Sequence, residues 1–320
     1  MTKKFAIACS GSLALLAAAD AAQGSCGSAF CVLDTNWSTQ GVAAAPGSTR
    51  LDLRYEFVDQ KHLQSGTKRI SQADDTADTT ELRTINRNLL TTLDYTVSKN
   101  WAVSVSAPVV SRSHSHLADP TDPNSMEKWD FTKIGDTRVL GMYRFDNESN
   151  PVVNRGLIFG AKLPTGKYRV SNADGVEAER ALQPGTGSTD LVLGGYYSAP
   201  GFHLDSSWFV QALYQQAMST KDEFKPGKQL QVNVGYRYPL GHDLQALLQV
   251  NSLVKGRDSG DNAEPDLSGS KSVFLSPGLI YSITHELQLY SFVQLPIYRF
   301  YNGTQLSVDW AFVAGATMRF

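Results

Sequence analysis

Two cysteines five positions apart, Cys26 and Cys31 in "SCGSAFC", are the first pair whose type and spacing suggest chemistry. Four intervening residues match neither the C-x-x-C of a dithiol redox centre nor the C-x-x-C-H of a haem attachment. They do fit a small disulfide loop. Kept reduced, the same thiolates would suit a soft metal such as copper, yet no second ligand pair stands nearby. "SRSHSH" (111–116) sets Ser111, Ser113 and Ser115 beside His114 and His116. Nucleophilic catalysis would need a triad geometry there, and no G-x-S-x-G elbow accompanies it. His114, His116, Asp119, Asp122 and the acidic run "ADDTADTTE" are metal-ligating types, but their spacing selects no ion. The reading is of a chain without a catalytic set, metal centre or cofactor.

Compartment decides the cysteines. "MTKK" is followed by the alanine-rich apolar run "FAIACSGSLALLAAA" and by small residues at Ala19, Ala21 and Ala22, the order of a secretory signal and its cleavage site. A signal over 1–22 removes Cys9 and leaves Cys26 and Cys31 as an even pair in an exported chain, which favours a disulfide. Residues 23–47 then form a periplasmic N-terminal segment, or partial plug, carrying that clip.

Beyond the signal, 29 basic residues face 31 acidic ones over the whole chain, with no basic tail, so nucleic acid is excluded as a partner. No later run reaches the length of a membrane helix. The apolar residues instead recur at every second position. In "RLDLRYEFVDQ", Leu51, Leu53, Tyr55 and Phe57 form one face and Asp52, Arg54 and Glu56 the other; a strand separates these sets and a helix would mix them. Twelve such blocks are centred near 53, 91, 105, 139, 159, 193, 211, 234, 248, 277, 292 and 313. Short turns such as "SKN" and "PLGHD" alternate with long polar connections, among them "DQKHLQSGTKRISQADDTADTTE" and "SRSHSHLADPTDPNSMEKWD", as in hairpins that enter a membrane from one side.

The expected fold is therefore all-β: a transmembrane antiparallel barrel over 48–320, of 12 strands, in the bacterial outer membrane. Its inward face would carry Asp52, Arg54, Glu56, Asp94, Asp136, Arg138, Arg144, Lys162, Asp190, Arg237, Asp309 and Arg319, a mixed-sign set able to pair across a narrow lumen. Tyr95, Trp101, Tyr197, Trp208, Tyr236, Tyr238 and Trp310 suit interfacial girdles. The final "WAFVAGATMRF" is similar to the terminal assembly signal of outer-membrane barrels, which makes the assembly machinery and membrane lipid expected partners.

"GLIFGAKLPTGKY" (156–168) followed by "GTGSTDLVLGGYYS" (185–198) resembles the outer-membrane family named for the MetA protein of phenol degradation, over roughly 48–320. That resemblance implies passage of small, apolar or aromatic solutes and supplies no catalytic residues. Read from the residues alone, Leu163 ends a strand, Pro164 closes its ladder and Gly166 relaxes a turn. Neither motif has the spacing or the helix of a phosphate cradle. The expected function is a passive channel, with Arg54, Asp136, Arg138, Lys162, Asp190 and Arg237 as the candidates that line the solute path. A non-catalytic scaffold that binds another envelope protein is the alternative.

Overall fold

Strict alternation along a strand sends every second side chain to the same face, and in this chain both faces find a use. The computed structural model describes residues 45–75, 79–145, 152–203 and 205–320. The signal, Cys26, Cys31 and nearly all of segment 23–47 lie outside those residues. In chain order the strands are β1 (Thr49–Gly66), β2 (Lys68–Arg69), β3 (Thr80–Thr96), β4 (Trp101–Leu117), β5 (Met126–Ile134), β6 (Thr137–Arg144), β7 (Asn154–Leu163), β8 (Asp190–Pro200), β9 (Ser207–Ala217), β10 (Gln229–Pro239), β11 (Leu244–Lys255), β12 (Ser270–Ser282) and β13 (Leu287–Arg319).

All the ladders are antiparallel, and the sheet closes on itself where β13 pairs with β1. Within its 33 residues β13 reverses at Gly303, whose φ of +61° is a left-handed conformation that glycine adopts without strain. Residues 288–301 then pair with β12 and 304–319 with β1. β5 and β6 both pair with β4, end to end, and so form one stave broken at Gly135 and Asp136. With β2 only a two-residue spur on β1, the described residues form a closed barrel of twelve staves, centred where the alternation places them. Closure leaves no unpaired edge, a requirement for backbone in hydrocarbon.

The outer wall is apolar and exposed. Leu53, Leu89, Leu93, Val103, Val109, Leu157, Leu193, Val234, Leu248 and Leu279 all face outward with more than a third of their surface open. Such a surface is stable only against lipid. Around the end that carries the short turns runs an aromatic belt: Trp101 packs on Tyr143 at 5.0 Å and Tyr197 on Trp208 at 5.1 Å. Trp310 sits on the other side of the apolar band, 5.2 Å from Phe57. No helix among the described residues is long and apolar enough to cross a membrane.

Three strands run further than the hydropathy indicates. β1, β3 and β4 are 17 or 18 residues long, against 10 to 13 for β7 to β12. The sequence "SRSHSHL", expected as loop, continues β4 to Leu117, and "DQKHLQSG" continues β1 to Gly66. Above Val109 the outward residues of β4 become Ser111, Ser113 and Ser115 while the inward ones remain buried, so this ladder rises out of the apolar band at the long-loop end.

Asp309 also departs from expectation. Trp310 faces Asp59 and Val308 faces Gln60, leaving Asp309 as an extra residue in a β-bulge. The bulge removes it from the inward row, and it pairs instead with His62 Nδ1 at 2.8 Å and half-exposed Arg69 at 3.0 Å.

Candidate functional site

Inside the barrel the side chains form layers. Phe209, Leu247, Ile280, Tyr290, Phe292 and Val313 make a buried apolar cluster against β9 to β13, towards the short-turn end. Several of these rings lie over glycines. A Cβ at Gly235 would meet the Phe209 ring at 2.2 Å, one at Gly278 the Phe292 Cβ at 2.6 Å, and one at Gly315 the Tyr290 ring at 2.4 Å. Glycine at these inward positions lets each ring lie against the wall. Next comes an amide row: Asn251 donates to Asn233 at 2.9 Å, and Ser276 donates to Asn251 at 2.7 Å, with Gln211, Gln249 and Gln294 buried alongside. At the seam where β13 closes on β1, Asp52 accepts from Tyr290 Oη at 3.0 Å and from Thr317 at 2.7 Å.

Four of the six sequence-predicted path residues meet at one point. β6, β7 and β8 align Arg138, Lys162 and Asp190 in a single row, and Asp136 stands at the break before β6. Lys162 Nζ lies 2.8 Å from Asp136 Oδ2 and 3.3 Å from Asp190 Oδ1, all three side chains being buried. It also donates to Thr186 Oγ1 and to the Ser188 carbonyl at 3.1 Å. Asp190 is completed by Ser188 Oγ at 2.6 Å and Gln215 Nε2 at 2.6 Å, and Gln215 in turn accepts from Arg138 at 3.0 Å. A buried ion pair is tolerated when every lone pair and proton is matched in this way.

The cluster acts on backbone as well. Asp136 Oδ1 accepts from the Gly166 amide at 3.0 Å, and Oδ2 from the Thr186 amide at 2.9 Å. One carboxylate thereby holds both ends of the connection 164–189. Gly166 has a role other than the turn expected of it. A Cβ there would stand 2.6 Å from the Gly135 carbonyl carbon, and a Cβ at Gly185 would stand 2.7 Å from Asp136 Oδ1. Close approach to Asp136, rather than a left-handed backbone, requires glycine at both sites. "LPTGKY" and "GTGSTD" are thus the two halves of one anchor.

Between its fixed ends the connection folds into the mouth of the barrel. Val110, Trp129 and Phe131, inward residues of β4 and β5, pack with Val170, Ala178 and Leu182 of the connection. Arg112 donates to the Leu182 carbonyl and, at 2.7 Å, to Asn86. Trp129 Nε1 donates to the Val176 carbonyl at 3.0 Å. Gln183 braces the connection internally, accepting from the Val170 amide at 2.8 Å and donating to the Ala178 carbonyl at 2.7 Å. Arg112, Gln183, Thr186, Ser188 and Gln215 are site residues that pattern reading passed over. "GTGSTD" did contain two of them, but only the fold reveals a shared partner.

Arg54 and Arg237 do not join this cluster. Arg54 lies 3.1 Å from Glu56 two positions along β1, and Arg237 stands opposite Leu247 nearer the short turns. "SRSHSH" forms no serine–histidine couple, because alternation turns Ser111, Ser113 and Ser115 out and His114 and His116 in. His114 Nδ1 meets Thr84 Oγ1 at 2.8 Å, while both imidazoles pack on Trp129 at 5.7 and 4.9 Å. This group lies above the apolar band, and burial, reinforced by the neighbouring His116 and Arg112, lowers the His114 pKa well below its ordinary value. No group of three or more His, Cys, Asp or Glu side chains able to hold a metal occurs among the described residues.

A closed antiparallel barrel with an apolar exterior, a polar interior and long loops at one end defines a transmembrane β-barrel of the outer-membrane type. The model of the family described as "Putative MetA-pathway of phenol degradation" matches residues 91–302, and the chain belongs to that family. The match begins in β3 and ends at the reversal of β13, a shorter span than the motifs alone suggest. Among solved structures, an outer-membrane channel from Pseudomonas putida F1 superposes with a TM-score of 0.67 at 13% identity, covering 87% of this chain and 97% of that one. The translocator domain of the autotransporter NalP from Neisseria meningitidis gives a TM-score of 0.46 at 10% identity, covering 88% and 92%. At these identities the likeness concerns the fold. No curated protein matches the chain.

Proposed function

We propose that the chain is a passive channel for small solutes, oriented with its short turns and N-terminal segment in the periplasm and its long loops outside the cell. The observation that carries this reading is the inside-out distribution of polarity. A wall apolar towards lipid encloses a row of buried amides and charges running from Asp52 and Asp94 to Arg112 and Lys162. Polar side chains are placed at such cost inside a membrane barrel where a hydrated path uses them.

Connection 164–189, anchored by Asp136, Lys162 and Asp190, narrows that path at its outer mouth, while the glycine-backed rings narrow it towards the periplasm. Selection is then by width and polarity, without a nucleotide-driven step. The family's printed description concerns phenol degradation, and the apolar cluster beside an amide row supports small aromatic or apolar solutes as the cargo.

Segment 23–47, with its Cys26–Cys31 clip, is proposed to reach the barrel from the periplasmic side. Lipid and the barrel-assembly machinery are the partners such a fold requires. Purified full-length chain in liposomes should release entrapped small solutes at a rate proportional to the protein incorporated. Correctly folded barrel that releases none of a varied panel, while retaining one specific envelope protein in gentle pull-downs, would instead identify a scaffold.

A further inference from the structure

We propose that the outward face of the ladder formed by β1, β3, β4 and β5 above the apolar band docks the phosphorylated headgroup of an outer-leaflet glycolipid. The inference rests on the orientation proposed above and concerns the outer wall, which the channel reading does not use. Register defines the face row by row. Tyr55, Leu89, Val109 and Ile134 form the last apolar row. The next row is Phe57, Arg87, Ser111 and Thr132; then Asp59, Ile85, Ser113 and Asp130; then Arg83, Ser115 and Lys128.

Each row rises about 5 Å along the membrane normal for strands of ordinary pitch and tilt. Arg87 therefore stands at headgroup level, in the first row beyond the apolar one, and Lys128 lies two rows further along the strands and two strands across. Arg87 and Lys128 are exposed and have no side-chain partner among the described residues. Arg83, by contrast, already binds Asp59 through Nε at 2.9 Å and Nη2 at 3.1 Å. Thr132 donates to Ser111 Oγ at 3.0 Å, so the Ser111 hydroxyl keeps its own proton to donate to a ligand in the Arg87 row.

A planar guanidinium between the Ser111 hydroxyl on one side and the Phe57 ring on the other, with an ammonium further along the wall and acyl-chain-compatible surface directly below, is complementary to a phosphate monoester on a lipid whose chains run down the wall. Asp130 adds a negative charge to the second row, placing the strongest phosphate contact at the Arg87 level. Neither cation contributes to the lumen, so neither bears on solute passage.

The test is binding of phosphorylated lipid A to the detergent-purified full chain, read by native mass spectrometry. Dephosphorylated lipid A, phosphatidylglycerol and inorganic phosphate are the comparison probes. Wild type should retain phosphorylated lipid A, and the double variant Arg87→Gln/Lys128→Gln should weaken retention on the order of tenfold through loss of charge-assisted contacts. Ser111→Asp, which places a negative charge in the same row, should weaken it as much, whereas Lys271→Gln on a distant stave should not.

Equal retention by wild type and the double variant would overturn the proposal, as would equal retention of the dephosphorylated lipid or of phosphatidylglycerol. Competition by inorganic phosphate at concentrations comparable to the lipid would reassign the face to the free ion and likewise overturn it. Solute release from liposomes, measured on the same preparations, fails only if the channel reading fails. Cysteine labelling of loop 256–269 from outside intact cells reports on orientation separately.

Discussion

The carboxylate of Asp136 and the ammonium of Lys162 meet at 2.8 Å inside the barrel wall, and through that one carboxylate both ends of the longest described connection are tied to the sheet. Gly166 and Thr186, one in each of the two motifs, thereby share a single partner.

Replacing Asp136 with Ala should leave Lys162 buried with Asp190 as its remaining carboxylate and release the amides of Gly166 and Thr186. Breaking one partner of a buried pair costs about 3–5 kcal/mol. The expected outcome is a folded barrel whose connection 164–189 is cut by protease at least tenfold faster than in wild type, with a lower unfolding midpoint in urea. Unchanged cleavage would show that packing on Val110 and Trp129 suffices to hold the connection.

Gly166→Ala should act in the same direction, because its Cβ would press on the Gly135 carbonyl carbon at 2.6 Å. Gly241→Ala, where nothing lies within 4 Å, is the matched control. Proteolysis of the two variants side by side separates close approach from a general intolerance of alanine.

Acid should loosen the same connection from its other side. Burial is the main cause of the lowered His114 and His116 pKa values, with Arg112 opposing protonation of His114 and with Glu127 favouring a proton on His116. The groups facing the pair are Thr84 from β3, Arg112 on β4, Glu127 from β5 and Glu179 from the connection. With folded pKa values below the unfolded value of 6.5, the open state binds more protons, so the closed state loses stability as pH falls below that value. Protection factors within 164–189, from hydrogen exchange corrected for the intrinsic base-catalysed rate at each pH, should fall between pH 7 and pH 5 in wild type and much less in His114→Gln.

Glu81 predicts the opposite trend at alkaline pH. It stands at the long-loop end, accepting from the Leu306 amide at 3.2 Å. Burial first, then the nearby Asp75 and Glu264 charges, push its pKa up to about 8 from 4.5, against the lowering effect of that hydrogen bond. The folded state therefore holds a proton that the unfolded state releases, and this contribution to stability disappears as pH rises through about 8. Glu81→Gln should leave the urea midpoint nearly unchanged at pH 5 and raise it above wild type at pH 9.

Alternation alone made the staves legible, since Leu51, Leu53, Tyr55 and Phe57 can face one medium only if Asp52, Arg54 and Glu56 face another. It placed Lys162 and Asp190 inward, and the ladder sets them side by side. Where each strand leaves the membrane was less legible. "SRSHSH" resembles loop because its outward serines meet water above the hydrocarbon, and only their buried histidine partners mark it as strand. Asp309 was misplaced because a single-residue bulge reverses alternation without a compositional signal. The joint role of Gly166, Gly185 and Thr186 stayed hidden for another reason: a shared partner 30 to 50 residues upstream is a property of register and not of spacing.

The measurement that bears most directly on the account is osmotic swelling of liposomes containing wild-type protein, taken across a graded series of small uncharged solutes. A passive path narrowed by connection 164–189 predicts swelling that is linear in protein, unsaturable, and cut off sharply with solute size, with the cut-off moving to larger solutes in Asp136→Ala. Absence of swelling at every size in both proteins, with the barrel shown to be folded and inserted, would contradict it.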